Sequence, residues 1–190
     1  FNSKVEDGRG LTLNTVKADL AATVKSLIFK KYTYKDFKID GKIDKNTFNG
    51  AFQISDPNID FVFEGAFEYL ENQAFLNFKS DVKNIDLFAL NLASSPLKMS
   101  GKMDINTVGN NVNEFTGDVQ INDLNVFTKD TTFELKQIIV DSKQSVNRSK
   151  VLSVTSDLGS IVIDGEYDIP NVVRSVKKVI FTNYPHITKT

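Results

Sequence analysis

Residues 48–67, FNGAFQISDPNIDFVFEGAF, decide the fold. Phe48, Gly50, Phe52 and Ile54 share one parity and Asn49, Ala51, Gln53 and Ser55 the other. Beyond Asp56-Pro57-Asn58 the alternation resumes, with Ile59, Phe61, Phe63, Gly65 and Phe67 set against Asp60, Val62, Glu64, Ala66 and Glu68. Side chains of a strand point alternately to opposite faces, so the stretch predicts two strands, each with one apolar and one polar side. Asp-Pro-Asn is turn chemistry, since Pro presets φ and Asn tolerates tight conformations. The prediction is an antiparallel hairpin.

The pattern extends outward from there. Phe37, Ile39, Gly41 and Ile43 alternate with Lys38, Asp40, Lys42 and Asp44, and Leu76 and Phe78 continue a strand that Phe75 interrupts. Residues 11–29 fit strand and helix spacing alike and are read as strand from their context, whereas residues 1–10 are read as frayed or as a strand without a partner. Asp86 is placed to cap a single helical turn through Leu90.

The chain repeats itself. FKIDGKID at 37–44 returns as LKMSGKMD at 97–104, which carries Met99 and Met103, and FNGAFQISD at 48–56 returns as FTGDVQIND at 115–123, which carries Phe115, Val119 and Ile121. A third echo is IDGEYD at 163–168. These spacings predict units of about 60 residues, roughly 32–92 and 93–168, in one elongated segment over 1–168. Gly41, Gly50, Gly65, Gly101, Gly117 and Gly165 all keep the apolar parity, and mid-strand glycines mark bends or close approaches, so they are expected to set the curvature of the sheet and leave room on its apolar side. After Pro170, the spacing of Val172, Val173, Val176, Val179 and Ile180 predicts a short amphipathic helix over 169–184 that closes the end of the sheet. The expected fold is mainly β, a curled antiparallel meander forming an open groove.

Composition narrows the function classes. The chain has 190 residues and a net charge of −1, which gives no electrostatic reason to bind nucleic acid. No apolar run is long enough to span a membrane as a helix. There is no cysteine, hence no disulfide and no thiolate chemistry, and fifteen Phe against no Trp point to a dry surface. The lone His186 beside Pro185 has no partner for base catalysis. Asp56, Asn58 and Asp60 mimic the opening of a calcium loop, but Phe61 stands where its glycine belongs and Phe67 where its glutamate belongs. Asp40, Asp44, Glu64 and Glu68 lie among lysines on the polar face, as on a solvated sheet, and Asn147-Arg-Ser149 matches a glycosylation sequon. Neither an enzyme nor a cofactor or metal site is expected.

The succession of KIDGKI at 38–43, FNGAFQISDPN at 48–58, IDFVFEG at 59–65, FLNFKSDV at 75–82 and DLFALNL at 86–92 resembles the TamB translocation and assembly proteins of Bacteroidota-type bacteria. These are AsmA-like, repeating β-groove, bridge-like lipid transfer proteins. The resemblance is clearest over 32–125 and looser over 153–167. It implies an internal section of a longer periplasmic protein, anchored in the inner membrane and partnering an outer-membrane barrel of the TamA/Omp85 type, with membrane contact only through parts outside this stretch. It also implies a groove that carries phospholipid. The acyl chains would lie along Phe37, Ile39, Ile43, Phe48, Phe52, Ile54, Ile59, Phe61, Phe63 and Phe67, then Leu76, Phe78, Met99, Met103, Phe115, Val119 and Ile121. Alternation alone usually means a filled core, as in a β-sandwich or closed barrel, and it is the repeats, the line of glycines and the resemblance that turn the reading to an open groove. An exposed sheet edge suits a scaffold that helps insert outer-membrane proteins by strand pairing.

Overall fold

The computed structural model describes residues 2–9, 15–111, 113–144, 150–172 and 174–175, with residues 2–9 as backbone alone. Eleven strands form one antiparallel sheet in strict chain order: β1 (Asn2–Arg9), β2 (Lys17–Phe29), β3 (Tyr32–Asp44), β4 (Thr47–Asp56), β5 (Ile59–Leu70), β6 (Gln73–Asp86), β7 (Leu97–Gly109), β8 (Thr116–Thr128), β9 (Thr132–Gln144), β10 (Lys150–Ser156) and β11 (Gly159–Asp164). The expected mainly β, open meander is therefore the fold. β1 and β11 remain separate edges, and the described strands form no second sheet, so a filled-core sandwich is not the architecture. One early expectation is overturned: residues 2–9 are a strand with a partner, paired from Asn2 opposite Thr23 to Arg9 opposite Lys17.

Register turns the alternating residues into rows that cross the sheet. One row joins Ala22, Ile39, Phe52, Phe63, Ser80, Met103, Ile121 and Ile138. The next joins Leu20, Gly41, Gly50, Gly65, Phe78, Ile105, Val119, Val140, Val154 and Ile161. Rows of this kind make one face continuously apolar across the meander, on the order of 50 Å at the usual strand spacing.

Period-2 alternation fails at three places near one margin of the sheet. Asp36 in β3 and Asp123 in β8 adopt left-handed backbone, with φ of 53° at each. β6 gains a residue between Val82 and Ile85 relative to both neighbours. These irregularities exchange the faces, so Tyr34 joins Phe37, and Ile85 and Val126 line up with Met99. Bulges of this sort also add to the local twist.

Two connections leave the plane. Residues 87–96, between β6 and β7, form a strap that begins with one helical turn: Leu90 N–H donates to Asp86 O at 3.0 Å and Ala89 N–H to Asp86 Oδ1 at 2.9 Å. After β11 the chain passes to the β7–β8 connection, where Asn113 Nδ2 donates to Asp168 Oδ2 at 3.0 Å and Ile169 N–H to Asn113 Oδ1 at 2.8 Å. Residues 169–172 and 174–175 are helical, and the remainder of the helix expected over 169–184 lies outside the described residues, as do the sequon and His186. Of the echo at 163–168, Ile163 and Asp164 end β11, and the chain turns away at Gly165.

Candidate functional site: an apolar trough with a stopper

The residues expected to line a groove fall on the apolar face that the rows define. Phe37, Ile54 and Ile59 are buried; Ile39, Ile43, Phe48, Phe52, Phe61, Phe63, Leu76, Phe78, Met99, Met103, Phe115, Val119 and Ile121 are half-buried, and Phe67 is exposed. Half-burial along a whole face is what a single layer produces, because only lateral neighbours cover each side chain. The rings touch in sequence across β3 to β6, with Phe37–Phe52 centroids 5.9 Å apart, Phe52–Phe61 5.6 Å and Phe63–Phe78 4.7 Å. Ser80, in line with Phe63 and Met103, is buried, and its Oγ has no hydrogen-bond partner.

The glycines bring neighbouring backbones together. Gly41, Gly50 and Gly65 stand directly opposite one another. A Cβ on Gly50 would run into Asp40 O, and one on Gly65 into Asn77 O, so their role is close approach of neighbouring backbones, which bends the sheet. They leave no free space on the apolar side. A hollow of about 740 Å³ over this row opens on the polar face, among Asp19, Ala21, Asp40, Lys42, Asn49, Ala51 and Glu64. A second, of about 480 Å³, sits over Gly117, which itself closes on Asn106 O. Gly101 faces the β8 bulge, with Asn122 O 3.3 Å from a Cβ placed there. Gly165 lies past β11, where its N–H donates to Lys150 O at 2.9 Å and a Cβ placed on it would meet nothing within 4 Å, so no close approach of backbones requires a glycine there.

Near the β2–β3 turn the trough is filled by the chain itself. Leu90 of the strap is fully buried, at 0% exposure, in a cluster with Tyr34, Phe37, Ile54 and Ile59, and Val24, Tyr32, Phe52, Phe61 and Ile85 pack around it. Asn91 Nδ2 ties the strap to Lys30 O in the β2–β3 turn at 3.1 Å. Asp86 anchors its base. Burial works to raise the Asp86 pKa, but the Ala89 amide and the Lys98 ammonium, 3.1 Å from Oδ2, prevail and hold it below the ordinary 3.8.

A polar lock borders this cluster. Asp56 accepts from the Tyr32 hydroxyl, from Lys35 N–H at 3.1 Å and from Asn58 N–H at 2.9 Å, while Asn58 Nδ2 donates to Tyr32 Oη at 3.1 Å. Its carboxylate is thus engaged by the fold, and no group of carboxylates or histidines among the described residues is arranged to hold a metal ion. Burial, and then the neighbouring Asp56, raise the Tyr32 and Tyr34 phenols above their ordinary 10.0.

Toward the opposite margin Ser142, 1% exposed, donates to Phe115 O at 2.7 Å and lies 3.2 Å from Tyr167 Oη, beside the buried Leu152. Lys150 Nζ donates to Asn113 O at 3.0 Å. The segment after β11 is therefore fastened over β8 to β10.

No protein-family model matches the chain, and neither does any curated protein or any solved structure. Among the described residues no helix is long and apolar enough to cross a membrane. The site rests on its geometry.

The strap and the tyrosines were absent from the residues expected to form the site. Tyr32 and Tyr34 sit on the wrong parity in sequence, and only the left-handed Asp36 brings them to the apolar face. The DLFAL run at 86–90 carried the signal of a capped turn, but nothing in it told where Leu90 would go.

Proposed function

We propose that the chain is a section of a non-enzymatic hydrophobic trough that carries phospholipid by its acyl chains. The observation that carries this reading is an apolar face that continues across an open, single-layer sheet and stays half-exposed instead of being covered by a second layer. Each acyl CH₂ that leaves water against such a face gains about 0.8 kcal/mol. With no recurring polar anchor along the rows, the trough would hold tails without selecting headgroups. The resemblance to TamB-type proteins extends the proposal to a periplasmic setting between inner and outer membranes, with a TamA/Omp85-type barrel as partner of the longer protein. The buried Leu90 adds a condition: tails lie on the face beyond the stopper and do not pass it while the strap is seated.

The test is native mass spectrometry of the chain purified from cells, with organic extraction of bound material, beside Phe63→Asp. Phospholipid that accompanies the native chain and is lost from a variant with unchanged circular dichroism supports the trough. A lipid-free native chain overturns it. One observation favours a second reading, strand addition to an acceptor or client protein. β11 is a bare edge on which Val162 is 67% exposed. Val162→Pro would abolish capture of an extended client under that reading and leave lipid content unchanged under the first.

A further inference from the structure

We propose that the β2–β3 turn is a docking tip for an anionic lipid surface, a role separate from holding lipid in the trough. Leu27, Ile28 and Phe29 are 52%, 74% and 54% exposed, three consecutive large apolar side chains at the apex of a hairpin. Folding leaves them partly in water, Leu27 and Phe29 on the face of Tyr34 and Tyr32 and Ile28 on the other, so the apex is apolar on both faces, and exposed apolar surface of this kind marks a contact site. Lys25, Lys30, Lys31 and Lys35 surround it, all exposed, and Asp36 is the only acidic residue between positions 25 and 36. Four lysines against Asp36 and the Asp56 carboxylate, which the Tyr32 hydroxyl and Lys35 N–H hold beside the hairpin, leave the tip a charge of +2 on a chain whose net charge is −1.

The backbone holds this arrangement in place. Lys30 and Lys31 both take left-handed φ, 46° and 66°, the signature of a tight two-residue hairpin turn. Lys30 Nζ lies 5.9 Å from the Phe29 ring centroid, and the carbonyl of Lys30 receives Asn91 of the strap. Through that bond the strap brings its own exposed Phe88 and Leu92 to the same margin of the sheet.

An apolar apex inside a lysine collar matches the interface of a bilayer with anionic headgroups. The apex enters the acyl boundary while the long lysine stems let their ammonium groups remain at the phosphates. The opposite margin supplies a contrast. Its β5–β6 turn also exposes Tyr69 and Leu70, but it carries Glu68 and Glu71, and no lysine occurs between positions 46 and 78. The two turns differ in charge, so docking through the β2–β3 turn would also orient the sheet.

The experiment is flotation of the whole chain with vesicles of phosphatidylcholine and of phosphatidylcholine mixed with phosphatidylglycerol. The native chain should float with the mixed vesicles and release in high salt. Lys30→Glu with Lys31→Glu should weaken binding by about 25-fold or more, at about fivefold for each lysine charge near the surface. Leu27→Ser with Ile28→Ser should weaken it without altering circular dichroism, since both side chains already face water, and Lys102→Glu on the polar face should leave it unchanged. Absence of flotation by the native chain, or equal flotation by the tip variants, overturns the proposal. Co-purified lipid is counted separately by native mass spectrometry: retained cargo without docking refutes the tip alone, and docking without cargo refutes the trough alone.

Discussion

Gly50 faces Gly41 on one side and Gly65 on the other, and any side chain there points into the backbone of Asp40. Gly50→Val should therefore cost about 2 kcal/mol or more, read as a lower midpoint in urea unfolding. Titration acts on the neighbouring cluster from both ends of the pH scale. Asp86 is held below 3.8, so its contribution to stability is present above that value and is lost as pH falls through the depressed one. Tyr32 and Tyr34 are raised above 10.0, so their contribution is intact below pH 10 and is withdrawn as pH climbs beyond it. The tyrosine near-ultraviolet dichroism should accordingly weaken at both extremes before the far-ultraviolet strand signal does. The sequence made the parity of Phe37, Phe52 and Phe63 plain, because extended backbone repeats every two residues. It hid Tyr34 and Val126, because one left-handed residue in each strand reverses that parity without changing composition.

The strap is the element whose removal would be most informative. Leu90→Ala should destabilise the chain by about 3 kcal/mol, since it empties a fully enclosed site. Asn91→Gly, which keeps the left-handed φ of 59° without strain, should instead leave global stability nearly unchanged while speeding amide exchange in residues 32–37, because a single partly exposed hydrogen bond ties the strap to the turn. Under the proposed function, both variants should bind more acyl chain per molecule, with Leu90→Ala the stronger, as counted by native mass spectrometry. Strands and hairpin turns were legible in advance because each depends on local alternation and on residues such as Asp56-Pro57-Asn58. The strap was not, since its position depends on contacts between Leu90 and strands some thirty to fifty residues earlier in the chain. The same limit applied to the segment after β11, whose hold on Asn113 links residues more than fifty positions apart.

Across the molecule, every strand lies beside its neighbours in the chain, with no crossover anywhere in the order β1 to β11. Such a sheet resembles a zip fastener more than a knot. Among the described residues, hydrogen bonds couple each strand mainly to the ones before and after it, apart from two clasps: the strap at Lys30, and the Asn113 contacts with Lys150, Asp168 and Ile169 together with the Ser142–Tyr167 contact. Pulled by its two ends in an optical trap, the chain should yield from the outer strands inward, in small steps of about one strand each. Two larger rips should mark the release of the clasps, and Leu90→Ala should lower the force of one of them alone. The same bookkeeping governs length. A hairpin copied into the middle of the sheet restores both strand direction and the side on which the oily residues lie, so the track grows by two strands without disturbing what flanks it. A lone strand inserted there would reverse the direction of everything downstream. Under the proposed function, a protein with this layout could be matched to the width of a gap in increments of roughly 10 Å, two strand spacings at a time.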